Sequence, residues 1–185
     1  LIDVYRGFER LSAVLLRIFA VALDLREDHF APLIDRHFSI LSCHHYPALT
    51  TPPEPNQLRT GAHTDVGAMT ILAMTEATGG LEVLMPDGEW SAFQAREGEL
   101  VVNLGDMLAR WTNDRWVSTL HRVANPANLE DAMSRRQSIG YFMHPNFDAQ
   151  IECLPSCLDP GAQPRYAAIT AGEHIAMKIA KSHNV

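Results

Sequence analysis

From Ser39 onward the chain breaks into short β-prone runs separated by turn residues, and this rhythm restricts the fold more than any other feature. The runs are Ser39–Tyr46, Thr70–Met74, Leu81–Met85, Trp90–Phe93, Leu100–Leu104, Val117–Val123 and Gln137–Met143. Pro86-Asp87-Gly88-Glu89 between two of them is a hairpin turn signal, and Pro52, Pro53 and Pro55 mark a loop. Short strands spaced about 8–12 residues apart predict a mainly β sandwich or barrel. Helical periodicity is confined to the two ends. Val4, Phe8, Leu11, Leu15 and Ile18 recur at three- and four-residue spacing, a stripe predicted to face a core. Pro32 opens a second short helical stretch. A closing helix is predicted near 171–182, where Thr170 and Glu173 form a capping box. This gives a helical lead-in over 1–38 and a β core with a C-terminal helix over 39–185, one domain overall. Residues 124–134 read as a polar connection.

Composition excludes several function classes. The chain has 185 residues and a formal net charge of −7, which disfavours a nucleic-acid surface. Its greasiest stretch, residues 11–25, is broken by Arg17 and Asp24 and falls short of the ~20 apolar residues of a membrane helix, so no membrane contact is expected. Three cysteines, Cys43, Cys153 and Cys157, suggest no disulfide framework and fit a reducing, cytoplasmic setting. Cys153 and Cys157, without a second ligand pair nearby, make a weak zinc signal. The chain begins with Leu and shows no signal peptide, as a processed chain or a later portion of a longer protein would.

The strongest chemical signal is His63-Thr64-Asp65. On a strand, residues i and i+2 share a face, so one imidazole and one carboxylate converge. His121, in the run Ser118–Val123, is the best third partner. Two histidines and one carboxylate on one face of an octahedral ion leave positions open, the arrangement of non-haem Fe(II) oxygenases. The plain alternative is an ordinary structural histidine, since the tripeptide also arises by chance. A second pair, Arg136 and Ser138, again occupies positions i and i+2. A guanidinium fork with a neighbouring hydroxyl suits a carboxylate. 2-Oxoglutarate fits such a site, with its keto-acid end on the metal and its far carboxylate on Arg136 and Ser138. A surface arginine beside a turn is the competing reading.

The runs HTDVGAMTIL (63–72), GGLEVLMPDGEW (79–90), VVNLGDMLARWTNDRWVSTLHRV (101–123) and RQSIGYFMHPN (136–146) resemble the isopenicillin N synthase-like family of 2-oxoglutarate/Fe(II) dioxygenases. The resemblance covers residues 39–152 in matching order and extends to ITAGEH (169–174). It implies a double-stranded β-helix, a jelly-roll relative of the cupins. It implies His63, Asp65 and His121 as iron ligands, and Arg136, Ser138 and Tyr46 as contacts of the cosubstrate. Tyr46 also reads as a strand-end aromatic packed by Pro47. One of His44 and His45 should face the site. Asn103, Gly105 and Asp106 read as a tight turn, with Asp106 a turn carboxylate rather than a ligand. Trp111, Thr112 and Asn113 should brace the loop before His121. The chain departs from the pattern at Ser42-Cys43-His44-His45, where the family often has an arginine and an asparagine. The resemblance also implies a further region before the opening helix, which the sequence as given does not include.

The implied activity is oxidation with O2, Fe(II) and 2-oxoglutarate. A small organic metabolite would be hydroxylated, desaturated or cyclised, with release of succinate and CO2. Two alternatives remain at this level: an Fe(II) oxidase of the same fold that does not consume 2-oxoglutarate, and a non-catalytic metal- or ligand-binding β-barrel.

Overall fold

The structure, a computed structural model, describes residues 1–75, 80–126 and 135–182. Helix α1 (Ile2–Ala22) precedes a 3₁₀ turn at Ala31–Leu33. Ten strands and two further helices follow: β1 (Ile40–Tyr46), β2 (Thr60–His63), β3 (Met69–Met74), β4 (Gly80–Leu84), β5 (Trp90–Ala92), β6 (Val101–Leu104), α2 (Asp106–Trp111), β7 (His121–Ala124), β8 (Arg136–Met143), β9 (Gln150–Ile151), β10 (Ile169–Thr170) and α3 (Ala171–Ser182).

Two four-stranded antiparallel sheets form the body. One has the order β1-β8-β3-β6, the other β2-β7-β4-β5. This is the jelly-roll arrangement expected from the strand rhythm. The alternation along β8 explains how two opposite environments share one strand. Arg136, Ser138 and Phe142 face inward and line a cavity between the sheets. Tyr141 and Met143 face outward into the apolar core, paired with Ile71 and Met69 on β3. Helix α1 lies over that outer face. Its buried residues Phe8, Ser12, Leu16 and Ala20 recur every four positions, and Tyr5 and Phe8 pack their rings against Tyr141. The main core therefore lies between helix and sheet, and the space between the sheets is left for the site.

The sequence-based stripe on α1 was set one row too wide. Val4 and Ile18 are 38% and 56% exposed, while Leu16 and Ala20, outside the predicted stripe, are fully buried. A helix alone offers two neighbouring apolar rows, and contact with the sheet selects one. Two further elements differ from expectation. The run from 117 pairs only from His121 onward, because residues before it follow the turn after α2. Gly105 and Asp106 do not merely turn the chain: they start α2, a helix too short to leave a periodic signal. The polar connection predicted at 124–134 lies mostly outside the described residues.

Other local expectations match the structure. Gly88 adopts φ +89° in the hairpin, where Asp87 Oδ1 accepts from the Glu89 N–H at 3.0 Å. Thr170 and Glu173 exchange capping bonds, the Thr170 N–H to Glu173 Oε2 at 2.9 Å and the Glu173 N–H to Thr170 Oγ1 at 3.2 Å. The Trp111 indole donates to the Gln150 carbonyl, and the Trp116 N–H donates to Thr112 Oγ1. Asn113 takes a positive φ of 55° at the end of α2. No described helix is long and apolar enough to cross a membrane.

Candidate active site

His63 ends β2 and His121 begins β7, and the two are direct cross-strand partners. Their rings lie 4.3 Å apart between centroids. Each ring is pinned by the carbonyl two residues earlier: His63 Nδ1 lies 2.8 Å from the Gly61 oxygen and His121 Nδ1 3.0 Å from the Thr119 oxygen. A carbonyl only accepts, so Nδ1 carries the proton in both rings and each Nε2 keeps its lone pair. Both Nε2 atoms point at Asp65, at 3.8 and 3.6 Å from Oδ1.

Asp65 reaches this position from a loop, not from a strand as the i, i+2 argument supposed. The loop is clamped to the start of α2. The N–H groups of Asp106 and Met107 donate to the carbonyls of Asp65 and Gly67 at 2.8 and 3.0 Å, so the donors that a helix start leaves unpaired hold the ligand loop. Side-chain bonds then set the carboxylate. Thr70 Oγ1 donates to Oδ2 at 2.5 Å and Asn103 Nδ2 donates to the same oxygen at 2.7 Å. Oδ2 is thereby occupied and Oδ1 is left for a metal. Neither Thr70 nor Asn103 was recognised from sequence. Asn103 had been assigned to a turn, and Thr70 has no motif of its own.

His63, Asp65 and His121 each offer one ligand atom, all within 4.8 Å of one another, and they form the only such group among the described residues. Nitrogen and oxygen donors with no thiolate, and no fourth protein ligand, suit a ferrous ion with open positions better than a closed structural zinc. Asp106 is not a fourth ligand: its Oδ2 lies 2.6 Å from Lys178 Nζ and accepts from Thr64 Oγ1.

The same cavity, about 130 Å³, is lined by Arg136 and Ser138 as well as by the triad. Arg136 is 4% exposed, yet among the described residues no carboxylate pairs with it. Its Nη1 has no hydrogen-bond partner, and Nη2 has only the Met74 sulfur at 3.4 Å. Burial pulls its pKa down from the ordinary arginine value. A buried cation without a counter-ion is costly, and an anionic ligand relieves the cost. Gly80, at φ +121°, makes room: a Cβ there would come 2.9 Å from Nη1. Ser138 is buried two residues along the same face. Tyr46 pairs with Arg136 across β1 and β8, and its ring lies 5.0 Å beneath the guanidinium carbon. His44 lines the cavity beside Tyr46, whereas His45 turns to the other face toward Gln137.

The chain matches the model of the 2OG-Fe(II) oxygenase superfamily over residues 37–145. The chain belongs to this superfamily. It is 37% identical to the 2-oxoglutarate-Fe(II) type oxidoreductase hxnY of Emericella nidulans, across 94% of this chain and 48% of that protein. It is 36% identical to the proline hydroxylase buaE of Petromyces alliaceus, across 89% of this chain and 53% of that protein. A full-length Neurospora crassa protein, crystallised with alpha-KG and thymine, superposes with a TM-score of 0.90 at 34% identity, covering 97% of this chain and 55% of that one. The expected double-stranded β-helix is thus the fold of this superfamily member. The chain spans about half the length of the curated relatives it matches.

Proposed function

We propose that this oxygenase-superfamily chain uses Fe(II), O2 and 2-oxoglutarate to hydroxylate a small organic molecule. The observation that carries the reading is a three-ligand metal group and an unpaired buried arginine opening onto one cavity. His63, Asp65 and His121 would hold the iron, through Nε2, Oδ1 and Nε2. Arg136 and Ser138 would take the far carboxylate of 2-oxoglutarate, with Tyr46 supporting the guanidinium from below. Iron with 2-oxoglutarate, when bound, supplies O2 activation for attack on a C–H bond, releasing succinate and CO2.

The chain's own residues do the rest. The carbonyls of Gly61 and Thr119 fix the tautomer and orientation of each ring, so that Nε2 is the nitrogen turned toward the metal position. Thr70 and Asn103 hold the carboxylate to one free oxygen. Leu72, Leu81, Val83 and Val123 line the remaining wall and exclude water. An anionic substrate of an oxidase would satisfy Arg136 equally well, so support for the 2-oxoglutarate-consuming reading comes from the family match and from relatives named 2-oxoglutarate-Fe(II) type oxidoreductases. A binding-only barrel has no use for a metal group with open positions. The relatives' names frame the substrate class, and thymine and free amino acids are the first compounds to screen. A cytoplasmic setting is part of the same reading, supported by three free cysteines.

The test is anaerobic addition of Fe(II) and then 2-oxoglutarate, followed by visible absorption. A weak charge-transfer band is expected from the wild-type chain. Arg136→Ala should keep the iron and lose the band. If the wild-type chain binds iron but shows no band with 2-oxoglutarate, the reading is wrong.

A further inference from the structure

A second cavity, about 580 Å³, is lined by residues of α2, the segment leading to β7 and α3, and reaches Thr64, whose side chain is held by Asp106. It contains a concentration of unsatisfied polar atoms. Arg110, Ser118 and His174 are among the residues that line it, and Arg110 Nε, Ser118 Oγ and both ring nitrogens of His174 are buried with no hydrogen-bond partner among the described residues. His174 is 3% exposed. Buried polar atoms are nearly always paired, so four on residues around one cavity call for something to pair with.

The charges around them indicate what that is. Arg110, Lys178 and Lys181 line the cavity. The two carboxylates present are engaged: Asp106 with Lys178 at 2.6 Å, and Asp114 with Arg165 at 3.2 Å and with the Tyr166 hydroxyl at 2.7 Å. Arg110 uses Nη2 on the Ala167 carbonyl and lies 4.8 Å over the Tyr166 ring, contacts that hold the guanidinium in place and leave Nε without a partner among the described residues. On a chain of net charge −7 this is a cationic hollow lined with donors. A guanidinium N–H, a hydroxyl, an imidazole and the Lys181 ammonium, with the Lys178–Asp106 pair beside them, match an acceptor-rich anion.

We infer that this cavity is a binding site for a small oxyanion, a carboxylate or a phosphate, separate from the metal group. The inference does not depend on the proposed activity. None of Arg110, Ser118, His174 and Lys181 contacts the metal-ligand side chains or Arg136 in any hydrogen bond or ion pair seen among the described residues.

The test is a titration of the whole chain with inorganic phosphate and, separately, with acetate, read at the His174 ring by proton–carbon NMR. The His174 signal is identified by its loss in His174→Asn. Saturable movement is expected by roughly 50 mM, with affinity weakened about tenfold in Arg110→Met and several-fold in Lys181→Ala. Lys181 sits at the exposed end of α3, so its variant carries the test if Arg110→Met does not fold. Saturation by phosphate alone would assign a phosphorylated ligand, and saturation by both would assign the wider oxyanion class. A His174 signal that moves only as it does in potassium chloride of equal ionic strength, or equally in all variants, would mean a water-filled void and overturn the proposal.

Discussion

At the residue scale, Arg136 is held in a state that suits a ligand better than it suits the free fold. Its guanidinium is buried without a counter-ion, and its charge is disfavoured by desolvation. Arg136→Met should therefore stabilise the ligand-free chain, by about 1–2 kcal/mol in denaturant unfolding, while abolishing 2-oxoglutarate binding. A destabilised variant would show that the Tyr46 stacking and local packing outweigh the desolvation. His174 carries a second prediction. Burial first, then the neighbouring Arg110 and Lys178, push its pKa down to about 4, against an ordinary value of 6.5, while Asp106 opposes them. The unfolded chain takes up a proton on this side chain as pH falls below 6.5 and the folded chain does not. Stability contributed by the neutral ring is thus full above pH 6.5 and is lost between about pH 6.5 and 4, to the order of 3 kcal/mol. Unfolding free energies measured across that window should fall less steeply in His174→Phe than in the wild type.

At the element scale, the decisive contact is between a six-residue helix and a loop. The start of α2 holds the Asp65 loop through backbone bonds, and the approach is close because Gly105 has no side chain. A Cβ on Gly105 would run into the Gly67 carbonyl oxygen, and one on Gly67 would run into that of Met143. Gly105→Ala must push the loop away from α2 and carry Asp65 with it. The expected outcome is a folded chain whose Fe(II) affinity is down about 10–100-fold, measured by metal titration. Unchanged affinity would mean that Thr70 and Asn103 alone place the carboxylate.

At the scale of the whole molecule, one sheet serves two purposes on opposite faces. Its outer face makes the core with α1, and its inner face presents Arg136, Ser138, Thr70 and Phe142 to the cavity. Stability and site are thereby separated by one strand thickness. Leu16→Ala, in the middle of the buried α1 row, should cost roughly 2–5 kcal/mol of global stability. Fe(II) affinity of the protein that remains folded should change little. A parallel loss of metal binding would show that the helix–sheet core sets the cavity geometry after all.

Much of this was legible without coordinates. Strand rhythm, the Pro-Asp-Gly-Glu turn and the Thr170–Glu173 capping box are local patterns, fixed by backbone preferences over a few residues. They carried the β core, the hairpin and the closing helix. His63, Asp65, His121, Arg136 and Ser138 stood out as a set, through the order and spacing of the runs that carry the family resemblance, although the His63–Asp65 tripeptide alone also arises by chance. What only the tertiary structure decided depends on contacts between distant segments. Which apolar row of α1 is buried was set by the sheet it meets. Which carboxylate oxygen is free was set by Thr70 and Asn103, five and 38 residues away from Asp65. The second cavity has no motif at all, because Arg110, Ser118 and His174 meet only when three separate elements pack.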